Sequence, residues 1–298
     1  MRVSFNSTYR NAVADINNAA ERLAERQREV SSNVRVAVPS DDPSAEQRII
    51  TEQNEIGTLD RYVQAADSVG SRLSVVDSLF SDIITKITTA RASASAATGS
   101  SPTQAQREAT ALNLEGLRAD IFSDVTTKFR GTYLFSGDDA LTAPYTQNPG
   151  GTVNAYQGSA AGVSVDIDRG RSVQVAFDAD SILRGSAATD LFTDLTTLIA
   201  DVRAGNTPGI ATGLDKLEAA FDRVVQAQSR LGSDLRTIDD TRARLQTLQQ
   251  AGTARVAKDR DANLAEAATG LAQADTAYRA AIGATANATR TSLLDYLR

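Results

Sequence analysis

Apolar positions near both ends of the chain recur at alternating three- and four-residue steps, the spacing of one face of an α-helix. The N-terminal series is Val13, Ile16, Ala20, Leu23 and Val30. The C-terminal series is Leu264, Ala267, Leu271, Ala274, Tyr278, Ala281 and Ala288. Both series are rich in alanine and are interrupted by Gln27 and Thr285, so each helix buries little apolar area. We therefore expect other subunits to complete these two helices.

Longer helical patterns lie between the two ends. From about residue 44 to 96 the alternation continues, which predicts a helix roughly 80 Å long at 1.5 Å per residue. Residues 98–102 predict a turn, and a second helix follows at Leu114, Leu117, Ile121 and Val125. A third long pattern runs from Leu217 to Leu245, after a short predicted helix at 190–202. We expect the three long helices to pack as an elongated bundle.

The period of the pattern changes between about residues 131 and 183. Every second position is apolar in two runs, Val163, Val165 and Ile167, then Val173, Val175 and Phe177. The four residues 168–171 between the runs predict the turn of a β-hairpin. Residues 131–135 predict an extended segment that leads into this region. The pattern therefore predicts a small β domain.

Together these elements predict a mainly α protein with a small β insert. We expect an elongated coiled-coil helical bundle in which the N- and C-terminal helices pair at one end and the β domain lies at the other. The predicted segments are an N-terminal axial coiled-coil helix (1–41), the N-terminal part of the bundle (42–130), an outer β domain (131–187), the C-terminal part of the bundle (188–255) and a C-terminal axial coiled-coil helix (256–298).

Composition narrows the possible functions. The 298 residues include no His, Cys or Trp, so catalysis by a thiolate or a histidine base is ruled out, and any reaction would depend on carboxylates, Lys, Tyr or Ser. The net charge of −6 argues against a nucleic-acid partner. No apolar run approaches the roughly 20 residues of a membrane helix, and no signal-peptide core follows Met1, so we expect neither a membrane partner nor export by the general signal-peptide route.

The adjacent carboxylates of Asp41 and Asp42 could suggest a metal loop with Glu46. The ligand spacing of a calcium loop is absent, and we interpret Asp42 as the cap of the long helix, with Pro43 at its first position. We expect no catalytic residue, no cofactor and no metal site. The residues expected to make subunit contacts are Val13, Ile16, Leu23, Leu264, Leu271, Tyr278, Ile282, Leu293, Leu294 and Leu297.

Five short motifs carry a family resemblance. They are Met1–Ser4, Val38–Pro43, Leu73–Ser78, Gly131–Gly137 and Ser292–Arg298. They resemble the bacterial flagellin superfamily and, more narrowly, the hook-associated protein 3 family of hook-filament junction proteins. The match leaves out residues 138–209, the first helix lacks the glycine that commonly follows it in the family, and Lys128–Gly131 is similar to flagellins. A flagellin with a short outer domain is therefore the alternative.

The resemblance implies a structural subunit of the flagellum, located outside the cell at the hook-filament junction and exported by the flagellar type III apparatus without a cleaved signal. It implies as partners the hook-side junction protein, flagellin, further copies in a layer and an export chaperone. We expect the terminal helices to be disordered in the free chain and to gain order when neighbouring subunits supply their apolar partners.

Two functions of other classes stay open. An enzyme with a carboxylate-dependent hydrolytic site in the β insert would need acidic residues that converge in a pocket, whereas the sequence shows acids of the turn-forming kind. A coiled-coil scaffold or secretion-tip protein would share the long helices, but the C-terminal motif Ser292–Arg298 disfavours it.

Overall fold

The structure is a computed structural model that describes residues 2–99, 102–149 and 151–296; for residues 2–8 and 288–296 it describes the backbone alone. The helices are α1 (Arg2–Ser32), α2 (Pro43–Ala96), α3 (Gln104–Val125), α4 (Ala179–Leu183), α5 (Leu191–Ala204), α6 (Thr207–Arg260) and α7 (Leu264–Tyr296). The strands are β1 (Lys128–Phe129), β2 (Thr132–Tyr133), β3 (Ser164–Asp168) and β4 (Arg171–Gln174). The predicted class, mainly α with a small β region, is confirmed.

Contacts within the chain divide it into two compact units. Unit 1 comprises residues 1–58 and 248–298, and unit 2 comprises residues 59–247. The two long helices α2 and α6 each contribute residues to both units. The division into five segments drawn from the sequence stays a prediction.

Local signals explain where the helices begin and end. The side chain of Asp42 accepts a hydrogen bond from the Ala45 N–H at 2.9 Å, so it caps α2 and leaves Pro43 at the first helical position. Helix α3 begins with a capping box formed by Thr103 and Gln106. Helix α5 ends at Gly205, whose φ of 70° closes the helix and permits the turn into α6. These caps set the helix bounds more sharply than the apolar pattern can.

Unit 2 holds one continuous hydrophobic core. The fully buried helical residues include Leu73, Phe80 and Ile87 on α2, Leu114 and Ile121 on α3, Leu195 and Leu198 on α5, and Leu217, Val224 and Leu231 on α6. The β insert adds Leu134, Phe135 and Tyr145 to the same core. The ring of Phe80 lies 5.6 Å from that of Phe135 and 6.1 Å from that of Phe177, centroid to centroid. The insert is therefore packed into the helical core.

Two short hairpins form the regular part of the insert. Strands β3 and β4 pair with Val165 opposite Val173, where the alternating apolar pattern placed a hairpin. Strands β1 and β2 pair around a tight turn in which Arg130 and Gly131 have φ of 50° and 86°. Positive φ at both central residues is the geometry of a type I′ turn, which suits the twist of a hairpin. The segment 131–135, which was expected to be simply extended, therefore begins inside this turn.

Two arginines connect the insert to the long helices of unit 2. The guanidinium of Arg72 on α2 donates to the carbonyl of Val175 at 2.6 Å and to the Thr132 hydroxyl at 3.1 Å. The guanidinium of Arg223 on α6 donates to the carbonyl of Leu183 at 2.7 Å. Burial lowers the pKa of both arginines. The contacts to Val175 and Leu183 give hydrogen-bond donors to carbonyls just beyond β4 and at the end of α4.

Substitutions at two glycines of the insert should differ in their effect on unit 2. Both Gly131 and Gly137 have positive φ, so alanine at either position costs about 1–2 kcal/mol in backbone strain. At Gly137 an added Cβ would also overlap the carbonyl oxygen of Ser159, whereas at Gly131 it would meet open space. We expect Gly137→Ala to destabilise the protein clearly more than Gly131→Ala in urea unfolding followed by circular dichroism. Equal losses would contradict the packing described around Gly137.

Candidate functional site

The helices α1 and α7 pack against each other within unit 1. They meet beside the linker that follows α1, where Val34 forms an antiparallel bridge with Asp261 and the Ala262 N–H donates to the carbonyl of Asn33 at 3.1 Å. Farther along, Gly270 lies beside Arg26, since a Cβ added at Gly270 would be 3.5 Å from the side chain of the arginine, an ordinary van der Waals distance. The two helices therefore run antiparallel as a pair, which we call the terminal pair.

The terminal pair buries little apolar surface. Among the side chains of α1 and α7 that the structure describes, Ala267 is the one fully buried hydrophobic residue, with 2% of its surface exposed. Leu23, Val30, Leu271 and Tyr278 are half-buried. Because apolar burial contributes about 25 cal/mol per Å², a pair of this kind is stabilised weakly by its own contacts. This is the property that the alanine-rich pattern predicted.

The predicted contact residues differ in exposure within this pair. Ile16, Leu23, Leu271 and Tyr278 are half-buried. Val13, Leu264 and Ile282 are exposed by 38%, 54% and 43%. The side chains of Leu293 and Leu294, and the whole of Leu297, lie outside the described residues. The role of all ten in subunit contacts stays a prediction. The side chains of the exposed ones remain accessible in the single chain.

The carboxylates that could have suggested a metal loop have structural partners. Asp41 accepts hydrogen bonds from the backbone N–H groups of Ala37 and Val38, both at 3.0 Å, and these bonds lower its pKa. The backbone N–H of Ala45 and the Ser44 hydroxyl lower the pKa of Asp42 to about 2. Over the described part of the chain, no group of three or more acidic side chains is placed to hold a metal ion.

The linker between α1 and α2 makes a dense set of polar contacts with the end of α6. The guanidinium of Arg35 pairs with Asp42 at 3.3 Å and donates to the carbonyl of Asp259 at 2.7 Å. Arg48 on α2 makes a two-pronged contact with the carboxylate of Asp259, at 2.8 and 3.2 Å. Bidentate pairing of this kind has a defined geometry. The linker is therefore ordered by specific contacts although much of it is exposed.

One apolar side chain anchors the same linker. Val36 is only 3% exposed and belongs to a small cluster with Ala45, Ile49 and Val256. Sequence reasoning missed Val36 and Arg35 because neither belongs to a helical series. The available signal was the alternation of Val34, Val36 and Val38, which are half-buried, buried and exposed in turn. That two-residue period is typical of an extended segment, and of these three valines Val36 alone is buried.

The acidic residue at the turn of the β3–β4 hairpin also has a partner. Asp168, at the turn, forms an ion pair with Arg244 on α6. The neighbouring Arg171 donates to the hydroxyl of Thr241 at 3.2 Å. These contacts attach the hairpin to α6 within unit 2.

In the part of the chain covered by the structure, no helix has the length and apolar character needed to cross a membrane.

Comparisons with known proteins agree with this architecture. Residues 3–140 match the model of the bacterial flagellin N-terminal helical region. Flagellar hook-associated protein 3 of Escherichia coli (strain K12) is 25% identical over 262 residues, which cover 80% of this chain and 81% of that protein.

Solved structures with the same fold include a Vibrio parahaemolyticus protein assigned as flagellar hook-associated and the flagellar junction protein FlgL of Legionella pneumophila. The first has a TM-score of 0.69 and 17% identity, and covers 74% of this chain and 100% of its own. The second has a TM-score of 0.58 and 14% identity, and covers 72% of this chain and 100% of its own. The chain is therefore similar to the bacterial flagellin N-terminal helical region over residues 3–140 and, over four fifths of its length, to flagellar hook-associated protein 3.

Proposed function

We propose that this protein is a structural subunit of the bacterial flagellum that joins the hook to the filament. The observation that supports this role most directly is the small apolar burial of the terminal pair. Among its described side chains, Ala267 is the one fully buried hydrophobic residue. Helices that are weakly stabilised within one chain gain the most when like helices surround them. The similarity to flagellar hook-associated protein 3 supports the flagellum as the assembly that would provide such surroundings.

The proposed contacts follow from this role. The residues Val13, Leu264 and Ile282, exposed in the single chain, would pack against terminal helices of neighbouring subunits, and the other predicted contact residues would become more deeply buried. The neighbours would be further copies in one layer, the hook-side junction protein and flagellin. The parts of the terminal pair distant from the linker would gain most of their order during assembly.

The remaining features of the proposal concern export and chemistry. The chain would leave the cell unfolded through the flagellar export apparatus, without a cleaved signal and with the help of an export chaperone, and would function outside the cell. Its role would need no catalysis and no cofactor, and the acids at the two turns considered above serve as caps and ion-pair partners. The net charge of −6 favours protein partners over nucleic acid.

Flagellin with a short outer domain is the second candidate, because it would use the same terminal helices. Proteins similar to this chain over most of their length include flagellar hook-associated protein 3 of Escherichia coli and of Salmonella typhimurium, which favours the junction role. The position of the protein along the flagellum separates the two functions.

Immunogold electron microscopy of whole cells tests this position. We expect label confined to one band where the hook meets the filament, because a junction needs only a thin layer of subunits. Cells that lack the gene for this chain provide the control for antibody specificity. Label along the whole filament would contradict the junction role and support flagellin.

A further inference from the structure

The contacts of the linker after α1 are important because the terminal pair is only weakly stabilised by its own packing. Residues 33–36, which we call the joint, contact the start of α7 and the end of α6. The Arg35 and Val36 N–H groups donate to the carbonyl of Arg260 at 2.8 and 3.3 Å. The joint also contains the buried cluster around Val36. Ala267, the buried residue of the terminal pair, lies only one turn into α7. The hydrogen bonds to Arg260 and the fully buried hydrophobic residue of the terminal pair therefore lie beside the joint.

We infer that residues 33–43 form a lock that fixes the direction of the terminal pair before neighbouring subunits complete it, with Arg35 as the central positioning residue. This inference rests on the proposed function, because a direction set in advance matters only if other subunits dock on the pair. The lock would reduce the ordering cost that each subunit pays on assembly, as preorganisation does in other interfaces.

Arg35 is suited to this role because one guanidinium connects three parts of unit 1. It belongs to the linker, pairs with Asp42 at the cap of α2 and donates to the carbonyl of Asp259 at the end of α6. Its own N–H donates to Arg260 at the same helix end. The planar fork of arginine can serve two acceptors at once, which a lysine or a glutamine cannot do with the same reach.

Val36 supplies the apolar half of the lock. Its side chain is held between α2 and α6 residues of unit 1, where Ala45 is 0% and Ile49 is 4% exposed. Removal of the polar contact at Arg35 or of the apolar contact at Val36 should therefore release the same segment. Both changes leave the side chains of α1 and α7 intact.

Hydrogen exchange of the full-length free chain tests the lock. In Arg35→Gln and in Val36→Ala we expect peptides from residues 20–32 and 264–275 to exchange roughly tenfold faster than in the wild type, because local opening is governed by the contacts of the opening segment. Peptides from α3, in unit 2, should be unchanged. Peptides from residues 276–287 should change less than those beside the joint, whereas general destabilisation would accelerate all of them alike.

Arg279→Gln is the matched control. Arg279 lies on α7, its side chain is 77% exposed, and it pairs with Asp275 four residues away at 2.9 Å, so its loss removes an ion pair of α7 but no contact of the lock. We expect wild-type exchange in this variant. The inference is overturned if both lock variants exchange like the wild type beside the joint, or if they accelerate α3 and the joint equally. Failure of the proposed function would instead be seen as label along the filament, which leaves the exchange result unaffected.

Discussion

A chain that ends at Gln273 should fail to enter the flagellum while unit 2 remains folded. The deletion removes most of α7, including Tyr278 and Ile282, but no residue of unit 2. The core of unit 2 is built from α2, α3, α5, α6 and the insert, so its contacts are retained. We expect incorporation to fall below detection, and we expect circular dichroism to retain the helical signal of unit 2 with an unchanged unfolding midpoint. Incorporation at the wild-type level would show that the terminal pair is not the assembly surface.

A point substitution separates the loss of contact surface from the loss of chain length. Ile282→Asn changes a residue that is 43% exposed in the single chain and should reduce incorporation without destabilising unit 2. Leu141→Asn is the matched control, since Leu141 is 81% exposed in the β insert and belongs to no predicted contact surface. Equal effects of the two substitutions on incorporation would contradict the assignment of the surface to the terminal helices.

The substitution Phe80→Ala should destabilise unit 2 by about 3–5 kcal/mol, the usual cost of removing a buried phenylalanine. Phe80 is 1% exposed and joins α2 to the insert through the rings of Phe135 and Phe177. The change leaves a cavity at the point where helix and insert share one core. Urea unfolding followed by circular dichroism gives the free energy, and hydrogen exchange of α3 identifies unit 2 as the part affected.

Leu112→Ala is the control for this measurement. Leu112 lies on α3 in the same unit but is 57% exposed, so its truncation should change the free energy of unfolding by less than about 0.5 kcal/mol. A loss below about 1 kcal/mol for Phe80→Ala would mean that the insert is not packed on α2 as described.

Elements governed by local backbone geometry were predictable from the sequence. The three-four spacing located α2 and α6, and Asp42 followed by Pro43 located the start of α2. The alternation on either side of residues 168–171 located the β3–β4 hairpin. In each case, neighbouring residues carry the pattern, because helix and strand each impose one repeat on the positions that face the protein. The small apolar content of the terminal helices was visible in the same way.

The tertiary structure alone decided which distant residues meet. The β1–β2 turn places the non-glycine residue Arg130 at positive φ, which the preference of a single residue disfavours. Phe80 meets Phe135 and Phe177, and Arg35 joins the cap of α2 to the end of α6, across separations that no periodic pattern encodes. Periodicity indicates which face of an element is apolar, but the partner of that face depends on how all elements share one core.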